Sequence, residues 1–454
     1  VSRVADSHYL KGDFDQAIAA YDDAAGQATT KGDSQAAFEL AYKAALVEQK
    51  RGRRIATADR LRILANSLPT HPQAAQAHLL AAWNAAQESQ NDASAAGLYE
   101  ELLREHLKNW PTAESADQAR VWLGKLSEAK PDWPTAINAY AAVSRASSHY
   151  GTAIASLVRC WREELASLDA ASKPTTDASG QAIAFFRRAL TGSDNRWPER
   201  WTDADRVAAL AAAELIVAHQ PGSASDAEDL LRRALAASFD APPSWRAAAQ
   251  AQLVVSLAAQ GGRHGDALAE LRSSGAASPE QMLAVLEGLS QVAGRTSPRS
   301  RSQIAAVQLE AVAMFAKSRN QLSPEQQLTL GRVQAEALAS MGRRDEALAE
   351  YTQLAKAHPN NGSIQEGFAK LLLASSDPAQ LQQALDRWRV VASRTKPRTP
   401  RWLEAKYSIA LAQFKLGDRA GAATLLRFLL ETPPGLKETA WETTYSDLLR
   451  KCGQ

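Results

Sequence analysis

One spacing recurs along this chain and limits what it can fold into. A glycine is followed five positions on by a small residue, nine on by an aromatic or leucine, and twelve on by alanine or leucine. Gly12 leads to Ala17, Tyr21 and Ala24; Gly52 to Thr57, Leu61 and Leu64; Gly342 to Ala347, Tyr351 and Leu354; Gly417 to Ala422, Leu426 and Leu429. Three of these runs end in proline, at Pro69, Pro359 and Pro434, and an alanine precedes each glycine, at Ala5, Ala45, Ala335 and Ala410. A repeat of this length marks a stack of helical hairpins, each burying its apolar face only on its neighbours. The glycine suits a turn that needs positive φ. The alanines allow helices to approach, the larger residue fills the gap to the next hairpin, and proline stops the second helix.

Composition agrees. The chain is rich in Ala, Leu, Gln, Glu and Arg, all good helix formers. Val and Ile are sparse and no stretch alternates with period two, so an all-α fold is expected. With 52 basic and 50 acidic residues the net charge is +2, which provides no global field toward nucleic acid or anionic lipid. No run approaches the about 18 apolar residues that span a bilayer. Cys160 and Cys452 are far apart in sequence and suggest neither a metal site nor a disulfide framework. The chain opens Val1-Ser2-Arg3-Val4, one turn inside the first helix by register, without Met or a secretion signal. Processing or trimming upstream is the expectation, as in a mature envelope protein.

These residues resemble the tetratricopeptide repeat family, and the resemblance covers nearly the whole chain in degenerate form. It implies an α-solenoid of about eleven hairpins, near 1–29, 33–69, 73–108, 113–145, 148–191, 203–238, 243–275, 278–319, 323–358, 361–396 and 399–433, with a capping helix at 436–451. The fourth hairpin keeps Gly124, Ala136, Tyr140 and Val143 but has Pro131 at its turn. Ser278, Ser323 and Ser225 each begin a capping-box pattern. Residues 169–180 read as a mobile loop, and 191–202 as an irregular connection between an N-terminal segment, 1–190, and a C-terminal segment, 203–454.

No catalytic, cofactor or metal template fits. Gly261-Gly262-Arg263-His264-Gly265 is the nearest approach to a phosphate loop, but Ala267 and Leu271 place it at a hairpin turn. The eight histidines form no His-Glu-x-x-His set, and His71 and His78, flanking a helix start, read as surface or boundary residues. Glu100-Glu101 and Glu163-Glu164 are adjacent on helices, so their carboxylates diverge by about 100°. A non-enzyme is expected.

The family lines a concave groove with its first helices. By position, the resemblance implies Tyr42, Lys43, Trp122, Lys125, Arg332, Glu336, Tyr407 and Lys415 as partner-facing residues, a mixture suited to a peptide. The Lys and Asn set of the subclass that grips client C-terminal carboxylates is missing: Ser2 and Asp6 stand in the first unit, and Asn84 is isolated. Several of the 11 tryptophans sit at hairpin entries and read as staples over the next helix, with Trp197 and Trp201 as candidate loop contacts. Arg387, Arg389, Arg394, Lys396, Arg398 and Arg401 form a candidate anion patch, although helix C-termini favour such cations without any ligand.

The expectation is a non-catalytic scaffold holding protein or peptide partners, with no cofactor and no transmembrane segment. Segments 68–75 and 399–405 are similar to entry segments of bacterial envelope tetratricopeptide proteins, which implies a periplasmic or envelope-associated complex, with a cytoplasmic location as the alternative. The alternatives are a recognition module of a larger enzyme or signalling protein and, more weakly, a polyanion or nucleic-acid binder.

Overall fold

The computed structural model describes residues 2–171, 173–192, 196–273, 279–295, 298–315, 322–431 and 440–453. Among them every regular element is helical. The first hairpins are α1 (Ser2–Lys11) with α2 (Phe14–Thr30), α3 (Ser34–Lys50) with α4 (Arg54–Ser67), α5 (Ala74–Glu88) with α6 (Ala95–Asn109), and α7 (Ala116–Ala129) with α8 (Trp133–Ala141). Next come α9 (Tyr150–Ala170) and α10 (Thr176–Thr191), α11 (Asp203–His219) and α12 (Ala224–Ala237), α13 (Pro243–Ala259) and α14 (His264–Ser273), and α15 (Pro279–Arg295) and α16 (Pro298–Met314). The series ends with α17 (Pro324–Ser340) and α18 (Arg344–Ala357), α19 (Gly362–Leu373) and α20 (Pro378–Arg394), α21 (Pro400–Lys415) and α22 (Arg419–Glu431), and a single α23 (Ala440–Cys452). This is an all-α solenoid architecture, in two compact units of residues 1–160 and 161–454. The division falls inside α9, and the 191–202 connection lies within the second unit.

The repeat spacing has a geometric cause. Gly12, Gly52, Gly342 and Gly417 have φ of 82°, 76°, 76° and 91°, the left-handed region that glycine enters freely. Each closes the preceding helix in the same way. Gly52 N–H donates to Gln49 O at 3.0 Å and Arg53 N–H to Glu48 O at 3.1 Å, so two of the last carbonyls are satisfied. Gly262, at φ 88°, makes the phosphate-loop lookalike a turn of this kind, and Ala267 and Leu271 beyond it are buried. At the fourth turn Pro131 has a φ of 27°, and only the longer bond remains, Asp132 N–H to Ser127 O at 3.0 Å.

Small and large positions interlock as the spacing requires. Ala5, Ala45, Ala335 and Ala410 are fully buried, as are Ala17, Thr57, Ala347 and Ala422. Tyr21, Leu61, Tyr351 and Leu426, the large residues of the same turns, are also buried. In the fourth hairpin a Cβ on Gly124 would lie 2.5 Å from Tyr140 Cζ, so only glycine admits that ring. A Cβ on Gly367 would likewise lie 2.3 Å from the Tyr351 hydroxyl.

The last helix closes the second unit. Tyr445 and Leu448 are buried against Leu403 and Leu426, and the Tyr445 hydroxyl donates to Leu403 O at 2.6 Å. Asp447, Arg450 and Lys451 face solvent; Glu438, expected on this polar side, lies outside the described residues.

Four local expectations need correction or qualification. The capping box at Ser323 forms, with Gln326 as its reciprocal partner, whereas that at Ser278 lies outside the described residues. Ser225 is not a cap: the 3-10 turn Pro221–Ser223 runs directly into α12, so the helix starts at Ala224. Glu228 turns instead to Arg232 at 2.9 Å and Arg263 at 2.7 Å. The capping box between Thr202 and Asp205 was not anticipated. Most of 169–180 is helical rather than loop, because α9 continues to Ala170 and α10 starts at Thr176, with Asp177 favouring its N-terminal turn and Ser179 buried. His78 is fully buried, not a surface residue, because it faces α6 rather than solvent.

Charged side chains link neighbouring hairpins. Arg60 meets Asp22 at 3.0 Å, Arg62 meets Glu101 at 2.6 Å, Arg187 meets Asp226 at 2.8 Å, Arg272 meets Glu310 at 3.0 Å and Arg401 meets Glu366 at 2.6 Å. Each pair joins residues about one repeat apart.

Candidate partner-binding surfaces

Most of the expected groove residues have partners within the chain. Tyr42 stacks on Phe38 with ring centres 6.2 Å apart, and Phe38 stacks in turn on His71 at 3.8 Å. Burial raises the Tyr42 pKa above its usual value. Lys43 lies 3.8 Å from Asp6 and 5.8 Å from the Tyr21 ring centre. Asp6 also accepts the Tyr21 hydroxyl at 2.5 Å; burial first, and then this carboxylate, push the Tyr21 pKa up to about 12. Trp122 is half-buried against the α3–α7 core, while Lys125, one turn on, is exposed. In the second unit Arg332 and Glu336 pair with each other at 2.8 Å. Tyr407 packs against Trp441 and Tyr445, and Lys415 donates to Leu373 O at 2.8 Å. These residues order the stack, and their remaining faces form its polar surface.

An open recess in the first unit lies elsewhere. A cleft of about 680 Å³ runs between α2 and α4 over the start of α3. Ala25, Gly26 and Thr29 of α2 form one side, Ala37 and Ala41 the floor, and Ile63, Leu64 and Leu68 the other side. The Asp22–Arg60 pair lines it too, and Ile63 is 66% exposed. At the matching place, polar side chains bridge α4 and α6. There Arg62 bridges Glu101 and Glu105, Asn66 donates to Glu105 at 2.5 Å, and Asn109 donates to Asn66 at 3.1 Å. Arg62 and Asn66 stand at the repeat positions of Asp22 and Gly26, so small residues on α2 leave the first groove open. A Cβ on Gly26 would meet nothing within 4 Å.

The other candidates divide. Trp197 and Trp201 stack at 6.1 Å, but Trp201 is buried and only Trp197 shows surface, with the Arg233 guanidinium 5.7 Å from its ring. Of the six-cation patch, Arg387 lies half-buried 4.2 Å from the Phe368 ring centre and donates to Gln365. Burial lowers its pKa. Arg389 meets Asp386 at 3.4 Å, and Arg401 meets Glu366. Arg398 adopts a φ of 65° between the exposed Lys396 and the start of α21. Two entry tryptophans reach back about one repeat: Trp110 donates to Pro69 O at 3.0 Å and Trp245 to Arg206 O at 2.9 Å. Among the described residues no three metal-ligating side chains converge, and no helix is long and apolar enough to cross a membrane.

Comparison with known proteins gives the fold's company only. No family model matches, and no curated protein sequence matches. Among solved structures, the chain is similar to yeast Tom70 at 12% identity and a TM-score of 0.35, covering 99% of this chain and 94% of that one. Naa15/Naa10 bound to HypK-THB gives 14% identity and a TM-score of 0.36 over 99% of this chain and 66% of that one. The APC/C hetero-tetramer Cut9-Hcn1 gives 12% and 0.33 over 99% and 95%. At these values the hairpin architecture rests on the chain's own turns and packing, described above.

Proposed function

We propose that this chain is a non-catalytic scaffold that holds protein or peptide partners on its stacked hairpins. The observation that supports it most directly is the open α2–α4 cleft, with its small-residue floor, exposed Ile63 wall and a single lining ion pair. Its size falls within the range of small-ligand recesses, about 300–1,000 Å³. Its openness and its place between two helices suit side chains projected from another polypeptide. The exposed Lys125 and the outer faces of Tyr42 and Trp122 supply a second, more polar surface of the groove type. The finer reading is a bacterial envelope complex, supported by the likeness of segments 68–75 and 399–405 to entry segments of such proteins.

The test is affinity purification of the chain from its own cells, beside Ile63→Asp and Lys125→Glu variants. Both positions carry exposed side chains, so helix content should be unchanged by circular dichroism. Loss of a defined partner set with Ile63→Asp is expected. Identical capture by the parent and both variants would remove these surfaces from consideration.

A further inference from the structure

Two imidazoles are sealed in the first unit, and the carboxylate beside them, Glu105, is shared with Arg62 and Asn66. His78 of α5 and His106 of α6 are both fully buried, with ring centres 5.6 Å apart. Trp110 lies against both, at 5.0 and 5.7 Å, and its own N–H anchors the turn by donating to Pro69 O. His106 Nε2 lies 3.1 Å from Ser115 Oγ just before α7, and its Nδ1 has no partner. Neither His78 nitrogen makes a well-directed hydrogen bond; the Glu105 carboxylate lies 3.3 Å from Nε2 but off the bonding direction.

The surrounding charges leave little to stabilise a proton here. From α4, Arg62 pairs with both Glu101 and Glu105 of α6, and Asn66 donates to Glu105 as well. Burial works against the Glu105 carboxylate, but Arg62, Asn66 and His78 together hold its pKa below the usual range. Its charge is thus already committed. From α7, Arg120 is bound to Asp117 at 2.6 Å and to Pro111 O at 2.7 Å, and it repels a charged His106. Burial is the largest cause at both rings. It lowers the pKa of His78 against the opposing pull of Glu105, and it lowers that of His106 to about 4, with His78 and Arg120 adding to the effect.

We propose that the seam where α5, α6 and α7 meet is an acid-sensitive release point, packed by two neutral imidazoles and opened when either takes a proton. The sign follows from linkage. A histidine whose pKa is depressed on folding binds more protons unfolded than folded, so its contribution to stability falls as pH drops below about 6.5. For His106 the fall continues to about 4. Loosening the seam frees α7, which carries Trp122 and Lys125, from the three hairpins before it. The inference does not depend on the proposed function, since it concerns folding of this seam whether or not a partner binds.

The experiment uses the full chain. Proton NMR titration of the imidazoles, assigned by His78→Gln and His106→Gln, should find His106 titrating at least a full unit below the solvent-exposed histidines. Hydrogen exchange, corrected for its intrinsic pH dependence, should show protection in α5–α7 falling at least tenfold between pH 6.5 and 4.5, well ahead of α1 and α2. In His106→Gln, which can still bond Ser115, that pH dependence should shrink. His106 titrating at or above 6.5 would overturn the proposal, as would equal loss of protection along the whole unit. If a variant does not fold, the titration of the parent chain, with His106 assigned through its contact with Ser115, decides alone.

Discussion

Replacing Pro131 by glycine should stabilise the protein, although proline is usually the stiffer and better loop residue. The turn after α7 follows the pattern of those after α1, α3, α17 and α21, where glycine sits at φ between 76° and 91°. Pro131 has a φ of 27°, whereas its ring favours a value near −65°. Holding a residue in so sparsely populated a region costs about 1–3 kcal/mol. Glycine would remove that strain and restore an N–H aimed at Glu128 O, as Gly52 N–H reaches Gln49 O at 3.0 Å. That bond contributes about 0.5–1.5 kcal/mol. Against these stands the greater freedom of the unfolded glycine chain, about 1 kcal/mol. The balance is a gain of about 0.5–3.5 kcal/mol. Since a stack of hairpins need not unfold in one step, the assay should be local: native-state hydrogen exchange of amides in α7 and α8, supported by thermal melting. The reciprocal change, Gly342→Pro, should destabilise the α17–α18 hairpin by about 0.5–3.5 kcal/mol, the same strain and bond less the same unfolded-chain term. Unchanged or weaker protection around Pro131→Gly would refute the reasoning, because it would mean that this turn does not carry the strain its backbone implies.

Two further outcomes follow from contacts described above. Gly124→Val should destabilise the fourth hairpin by about 1–3 kcal/mol, because its Cβ would meet the buried Tyr140 ring at 2.5 Å; a melting temperature equal to that of the parent would count against so close a fit. On heparin, a variant lacking the charges of Arg387, Arg389, Arg394, Lys396, Arg398 and Arg401 should elute at the same salt concentration as the parent, since Arg387, Arg389 and Arg401 are engaged within the chain. A large drop in the salt needed would instead favour polyanion binding.

The hairpin boundaries were legible in the sequence because they are written locally. A positive-φ glycine, a small residue five positions later and a large one nine later act within a single turn and two helices. Ser225 misled because a capping pattern specifies a possible start, and the 3-10 turn at 221–223 supplied an earlier one. The burial of His78 and His106 was less visible: their faces are set by which side of α5 meets α6, and the signal available was the apolar company of His106, namely Leu102, Leu103 and Leu107. The α2–α4 cleft could not be read from one helix at all. It exists because α2 presents Asp22 and Gly26 where α4 presents Arg62 and Asn66, a comparison that matters only once the two are adjacent. Tyr42, Lys43 and Tyr407, expected to face a partner, lie on first helices of their hairpins, and their contacts within the chain depend on neighbouring hairpins.

The cross-hairpin ion pairs have a consequence for assembly of the stack. Partly exposed pairs such as Arg62–Glu101 or Arg187–Asp226 contribute little individually, typically about 0–1 kcal/mol. Yet each joins a cation on one hairpin to an anion at a specific place on the next. Hairpins that share the same alanine and leucine seam could otherwise dock out of turn, since their apolar faces are nearly interchangeable. A wrong neighbour would leave like charges opposed or a carboxylate without its arginine. The apolar repeat makes the hairpins stick together, and the charges act as an address that tells each one which successor to accept.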